Sequence, residues 1–256
     1  MRESTRLFSE WRFHEALVTA LREGQGSEEI LAASLCRLGL PYRIGDIVSP
    51  TVLESEELLV ERAWSEFEAE RLEEANRLIS KLPASSPQRR AFESTMYRVE
   101  FPVHVSGEED ADELVWLLAG LWASGRDLEA REAIDLYRKR NPDDVRSPLL
   151  AMRLVLARGE RSRLGETDVS KVMEQRHPEA LYLLSRIEAR HGSPQEAEEI
   201  LKRLSASYPL DFRPSFALYQ LRRGHSPKLW ASLPLLKSVR IVSRIGSLQR
   251  AALPTV

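Results

Sequence analysis

Three stretches of this 256-residue chain share one spacing: alanine, an aliphatic residue four later, an aliphatic or aromatic residue three beyond that, and proline five beyond that. They are Ala75, Ile79, Leu82, Pro87; Ala130, Ile134, Tyr137, Pro142; and Ala197, Leu201, Leu204, Pro209. A glutamate precedes each alanine, as Glu74, Glu129 and Glu196. The second and third alanines lie 67 residues apart, close to twice a period of about 34.

Alanine is small enough to let two antiparallel helices approach closely, and the apolar residues at +4 and +7 continue one helical face into a core. Proline has no backbone donor and disfavours helix in the residue before it, so each proline is placed to stop the second helix of a pair. The spacing predicts helical hairpins. Their first helices are expected over Leu58 to Glu68, Glu113 to Ser124 and Glu179 to His191, the last two closed by Gly125 and Gly192 at positive φ. A further first helix, Ser147 to Arg158, should end at Gly159, while its partner around Thr167 to Arg176 has almost no signature.

The pattern resembles the tetratricopeptide repeat, an alternation of small and large residues that ends in proline. In the third copy the motif falls on Leu181, Leu184, Ser185, Gly192, Ala197, Leu201, Leu204 and Pro209. In the second it falls on Leu114, Leu117, Leu121, Gly125, Ala130, Ile134, Tyr137 and Pro142, and in the first on Leu59, Ala63, Ala75, Ile79, Leu82 and Pro87. Leu118, Glu66, Glu188 and Glu70 depart from it. The resemblance covers roughly residues 51–211 and implies an all-α, right-handed α-solenoid of antiparallel hairpins.

Composition agrees with a helical chain: 43% apolar, 30% charged, rich in Leu, Ala, Glu and Arg. No apolar run approaches the ~20 residues that cross a bilayer. Glu3, Glu10 and Glu15 fit neither a secretory signal nor an acid-poor transit peptide. The single cysteine, Cys36, cannot form an internal disulfide and is expected to be a buried small hydrophobe in a cytoplasmic protein.

Leu7 to Glu23 and Ser27 to Leu38 read as two helices with Ser27 as an N-cap, a hairpin expected to cap the solenoid over residues 1–50. Gly39 to Pro50 reads as a loop. Between the first two copies an insertion over about 88–110 has room for a helix, Gln88 to Val99, and an extended piece in which Phe101, Val103 and Val105 alternate with polar residues.

Charge is unevenly spread. Of 37 basic and 39 acidic residues, eight basic and no acidic ones follow Asp211, leaving residues 1–211 with a net charge of −10. In this segment, residues 212–256, Leu235, Val239, Val242 and Ile245 share one helical side while Lys237, Arg240 and Arg244 share the other, and Arg222 and Arg223 precede them. Three readings stay open: a cap on the last repeat, a helix on an anionic membrane surface, or a docking site for an acidic partner.

The resemblance places Trp64, Phe67, Trp122, Arg153, Tyr182, Arg186 and Arg190 on a concave groove formed by the first helices. Aromatic rings beside guanidinium groups suit a peptide or helix ligand. The lysine and asparagine pattern with which some relatives clamp a terminal carboxylate is not present. Scattered histidines, one cysteine and no phosphate-cradling glycine loop give no metal, cofactor or catalytic signature. The expected function is a non-catalytic scaffold or adaptor for a protein partner rather than nucleic acid. A peripheral membrane adaptor and an enzyme or enzyme subunit are the alternatives.

Overall fold

The computed structural model describes residues 1–24, 26–40, 44, 48–68, 71–97, 108–159 and 173–225, and all regular structure among them is helical. The chain divides into two compact units: Met1–Leu53 with Ser170–Val256, and Glu54–Val169. The terminal unit holds α1 (Glu3–Ser9), α2 (Phe13–Glu23), α3 (Glu28–Arg37), the short α4 (Pro50–Leu53), α11 (Pro178–His191), α12 (Pro194–Ser207) and α13 (Phe212–His225). The central unit holds α5 (Glu56–Glu68), α6 (Leu72–Ile79), α7 (Pro87–Tyr97), α8 (Ala111–Ala123), α9 (Asp127–Arg140) and α10 (Arg146–Arg158).

The three signature alanines occupy one structural position. Ala75, Ala130 and Ala197 are fully buried, and each donates its N–H to the carbonyl of its helix's N-cap, Arg71, Arg126 or Ser193, at 3.0, 3.2 and 3.0 Å. Each thus sits at the start of the second helix of an antiparallel pair, where a larger side chain would push the two axes apart. Two departures from the repeat pattern also gain a role. Glu66 and Glu188, each nine residues before its alanine, are buried and turn their carboxylates onto the N-cap residue of the following helix. Glu66 accepts from the Arg71 guanidinium, and Glu188 accepts from the Ser193 N–H at 3.0 Å.

The prolines divide. Pro142 and Pro209 follow the C-caps Asn141 and Tyr208 and stop α9 and α12 as expected. Pro87 does not stop α6, which ends at Ile79; it opens α7. Pro83 lies nearer, and Leu82 before it leaves the helical ladder while staying buried. Pro87 then takes the first helical position, where its missing N–H costs nothing. The expected extended piece of the insertion lies outside the described residues.

Glycine closes α8 and α10, with Gly125 and Gly159 at φ 73 and 78, but Gly192 has φ −136 because the chain passes straight into the Ser193 cap. Asp110 opens α8 with a full capping box, its side chain accepting from Asp112 and Glu113 N–H groups.

The helix expected over Leu7 to Glu23 is broken at Trp11, which takes φ 59. The Trp11 N–H donates to the Phe8 carbonyl and the Arg12 N–H to the Leu7 carbonyl, both at 2.9 Å, the paired bonds that end a helix through one left-handed residue. That conformation costs an L-residue about 1 kcal/mol. The indole, 1% exposed, offsets it by burial. Ser27 heads α3 without capping it: its hydroxyl turns back to the Ala20 and Gly24 carbonyls. Cys36 is buried.

The N-terminal helices, packed on one another, also touch the start of α13. The Phe212 N–H donates to the Leu38 carbonyl at 3.2 Å, and the Arg213 guanidinium lies 6.0 Å from the centre of the Phe13 ring. In the central unit Leu59, Ala63, Leu78, Ile79 and Phe92 form the core.

Candidate functional site

The sequence Pro-x-Asp-x-Arg occurs twice, as Pro142, Asp144, Arg146 and as Pro209, Asp211, Arg213, offset by the same 67 residues as the second and third alanines. Each aspartate receives the backbone N–H of its arginine, at 2.9 Å for Asp144 and 3.0 Å for Asp211. Each guanidinium then folds back onto the same carboxylate, at 2.8 and 2.9 Å. Each arginine also reaches an acid at the start of the preceding first helix, Asp112 for Arg146 at 3.6 Å and Glu179 for Arg213 at 2.8 Å. Those two acids are again 67 residues apart. This is a clasp between one hairpin and the helix that follows it, built twice.

The clasp was legible in the sequence as a second motif at the repeat offset, and reading only alanine and proline missed it. Its electrostatics follow from burial. Burial opposes the charge on Arg213, but Asp211 and Glu179 outweigh that and raise its pKa well above the usual value. Burial likewise pushes the Asp144 carboxyl up, and hydrogen bonds from Arg146 and Tyr137 more than reverse it, leaving its pKa lowered.

The terminal clasp supports Tyr182 on α11. The Arg213 guanidinium lies 4.5 Å from the centre of the Tyr182 ring, and Arg186, one turn on, donates to the Tyr182 hydroxyl at 3.5 Å. Both side chains are half-buried, and Arg190 a further turn on is exposed. Three of the residues expected to line a groove thus lie at successive turns of α11, and Tyr182 and Arg186 are in contact.

The other expected groove residues are in the central unit. Trp64 and Phe67 are half-buried against the core, with the Trp64 ring stacked on Trp116 at 5.2 Å and edge-on to Phe92 at 5.1 Å. Phe92 and Trp116 come from the insertion helix α7 and from α8, and nothing in the repeat signature announces that meeting. Trp122 and Arg153 are half-buried. An open cleft of about 310 Å3 is lined by Pro87, Gln88, Glu108, Glu109, Glu113, Trp116 and Leu117.

In the basic segment, two arginines are engaged by acids upstream: Arg213 in the clasp, and Arg222 with Glu198 at 2.6 Å. The Arg222 hydrogen bond, helped by Lys202, holds the Glu198 carboxyl below the usual carboxylate range. Arg223 is exposed. Lys237, Arg240 and Arg244 lie outside the described residues. Among the described residues no set of three His, Cys, Asp or Glu side chains is arranged to hold a metal ion, and no helix is long and apolar enough to cross a membrane.

Comparison with protein-family models, with curated proteins and with solved structures gives no match.

Proposed function

We propose that the chain is a non-catalytic interaction scaffold, a tetratricopeptide-like α-solenoid of tandem hairpins that binds an acidic peptide or helix through the first helix of its third hairpin. The recurrence of alanine, aspartate, arginine and helix-start acid at one 67-residue offset carries the repeat reading, because the hydrogen bonds recur with the letters. Tyr182, Arg186 and Arg190 carry the binding reading. They lie at successive turns of α11, and the phenol ring is braced from below by a buried guanidinium. A braced aromatic beside half-free arginines loses little conformational freedom on binding, and such residues dominate interface energetics. Arg186 and Arg190 select for carboxylates.

The test is capture from the native source with the full chain, wild type against Arg186→Ala/Arg190→Ala, followed by titration of the purified partner. Arg186→Ala alone should weaken binding by about 1 to 2 kcal/mol, with far-UV circular dichroism unchanged. Equal affinity for wild type and the double variant would move the binding site away from α11.

A further inference from the structure

Two histidines far apart in the sequence lie in the terminal unit, His177 buried and His14 half-buried. His177, 2% exposed, precedes α11 and its Nε2 lies 2.8 Å from the carbonyl of Glu10, the C-cap of α1. The carbonyl can only accept, so Nε2 carries the hydrogen and Nδ1 presents a bare lone pair. That Nδ1 is buried with no hydrogen-bond partner among the described residues. His14, on α2, packs edge-on to Tyr208, the C-cap of α12, with ring centres 5.2 Å apart. Its Nε2 is also buried with no hydrogen-bond partner among the described residues.

We propose that this contact is an acid-sensitive latch: proton uptake at His177 and His14 releases the N-terminal helices α1–α3 from α11 and α12. A second proton on His177 would create a buried N–H donor with no acceptor and a buried charge, and neither cost arises once the helices part. The charged groups around the rings do not remove that cost. Burial holds both histidines below their ordinary pKa, against the opposing pull of Glu15 and Asp211 on His14 and of the Glu10 carbonyl, Glu179 and Glu15 on His177. Arg12 adds to the lowering at His177. Tyr208, against the His14 ring, has its pKa raised by burial, and Arg176 acts on it in the opposite direction; Glu179 is committed to Arg213 at 2.8 Å.

The sign follows from linkage. Above a pH of about 6.5 both rings are neutral whether the latch is open or closed, and pH has no effect. Below that, the open form binds protons that the closed form refuses, so opening grows as pH falls until each histidine's own lowered pKa is reached. The limit is about tenfold in the opening equilibrium per pH unit for each histidine, or about a hundredfold for both.

Hydrogen exchange of the full chain at pH 7.5, 6.5 and 5.5, with rates divided by the intrinsic rate at each pH, tests the latch. Fragments from 13–37 and 178–207 should open progressively between pH 6.5 and 5.5 while 111–140 stays unchanged. His177→Gln, which keeps a donor for the Glu10 carbonyl but cannot charge, should cut the rise by up to about tenfold. A rise shared equally by both regions, no rise, or a rise untouched by His177→Gln would overturn the proposal. Should that variant not fold, ring-proton titration of the wild-type chain decides: both histidines titrating at or above their ordinary value would overturn it.

Discussion

The two clasps use the same residues at the same spacing in different surroundings. In the central unit the Arg146, Asp144 and Asp112 side chains are 20%, 17% and 38% exposed; in the terminal unit the Arg213, Asp211 and Glu179 side chains are 11%, 4% and 2% exposed. The outer contact is 3.6 Å in the first and 2.8 Å in the second. Water screens the first pair and not the second, so one motif yields an orienting contact in one place and a strongly coupled ion triad in the other. The buried version also has aromatic neighbours: Tyr182 and Phe13 lie beside the Arg213 guanidinium. Burial, and not the motif, sets the energetic weight.

The largest effect expected is Arg213→Ala, which strands Glu179 and Asp211 in a buried site and should destabilise the terminal unit by about 3 to 5 kcal/mol. Urea unfolding of the full chain measures it. Widening the hairpins should come next: Ala130→Leu in the central unit and Ala197→Leu in the terminal unit each force a larger side chain into a helix contact where the alanine is fully buried, at about 1 to 3 kcal/mol. Similar losses in both would show that the hairpins, unlike the clasps, are equivalent in weight. Arg146→Ala should be the mildest, at about 1 kcal/mol, because the side chains it leaves are partly solvated.

Much of the fold was legible because its signals are local. The first helices of the hairpins, the stops at Pro142 and Pro209, and the closure at Gly125 depend on residues within one or two turns. What escaped was non-local or ambiguous. The break at Trp11 rests on an aromatic residue in a left-handed conformation, for which sequence offers no marker such as glycine. Pro87 carried two opposite meanings, helix stop and helix start, and Pro83 four residues earlier decided between them. Of the candidate site, Tyr182, Arg186 and Arg190 could be grouped from helical spacing, but not the support of Tyr182 by Arg213, which depends on α13 folding back to α11. The aromatic partners of Trp64 were equally hidden, since Phe92 comes from a helix outside the repeat pattern.

A pair of double-mutant cycles tests most directly the claim that one clasp is built twice and weighted by burial. One cycle combines Arg213→Ala with Glu179→Ala, the other Arg146→Ala with Asp112→Ala, with stability read by urea unfolding. Weighting by burial predicts a coupling of at least about 1.5 kcal/mol for Arg213 and Glu179 and below about 0.5 kcal/mol for Arg146 and Asp112. Equal couplings, or a larger one in the central unit, would contradict it.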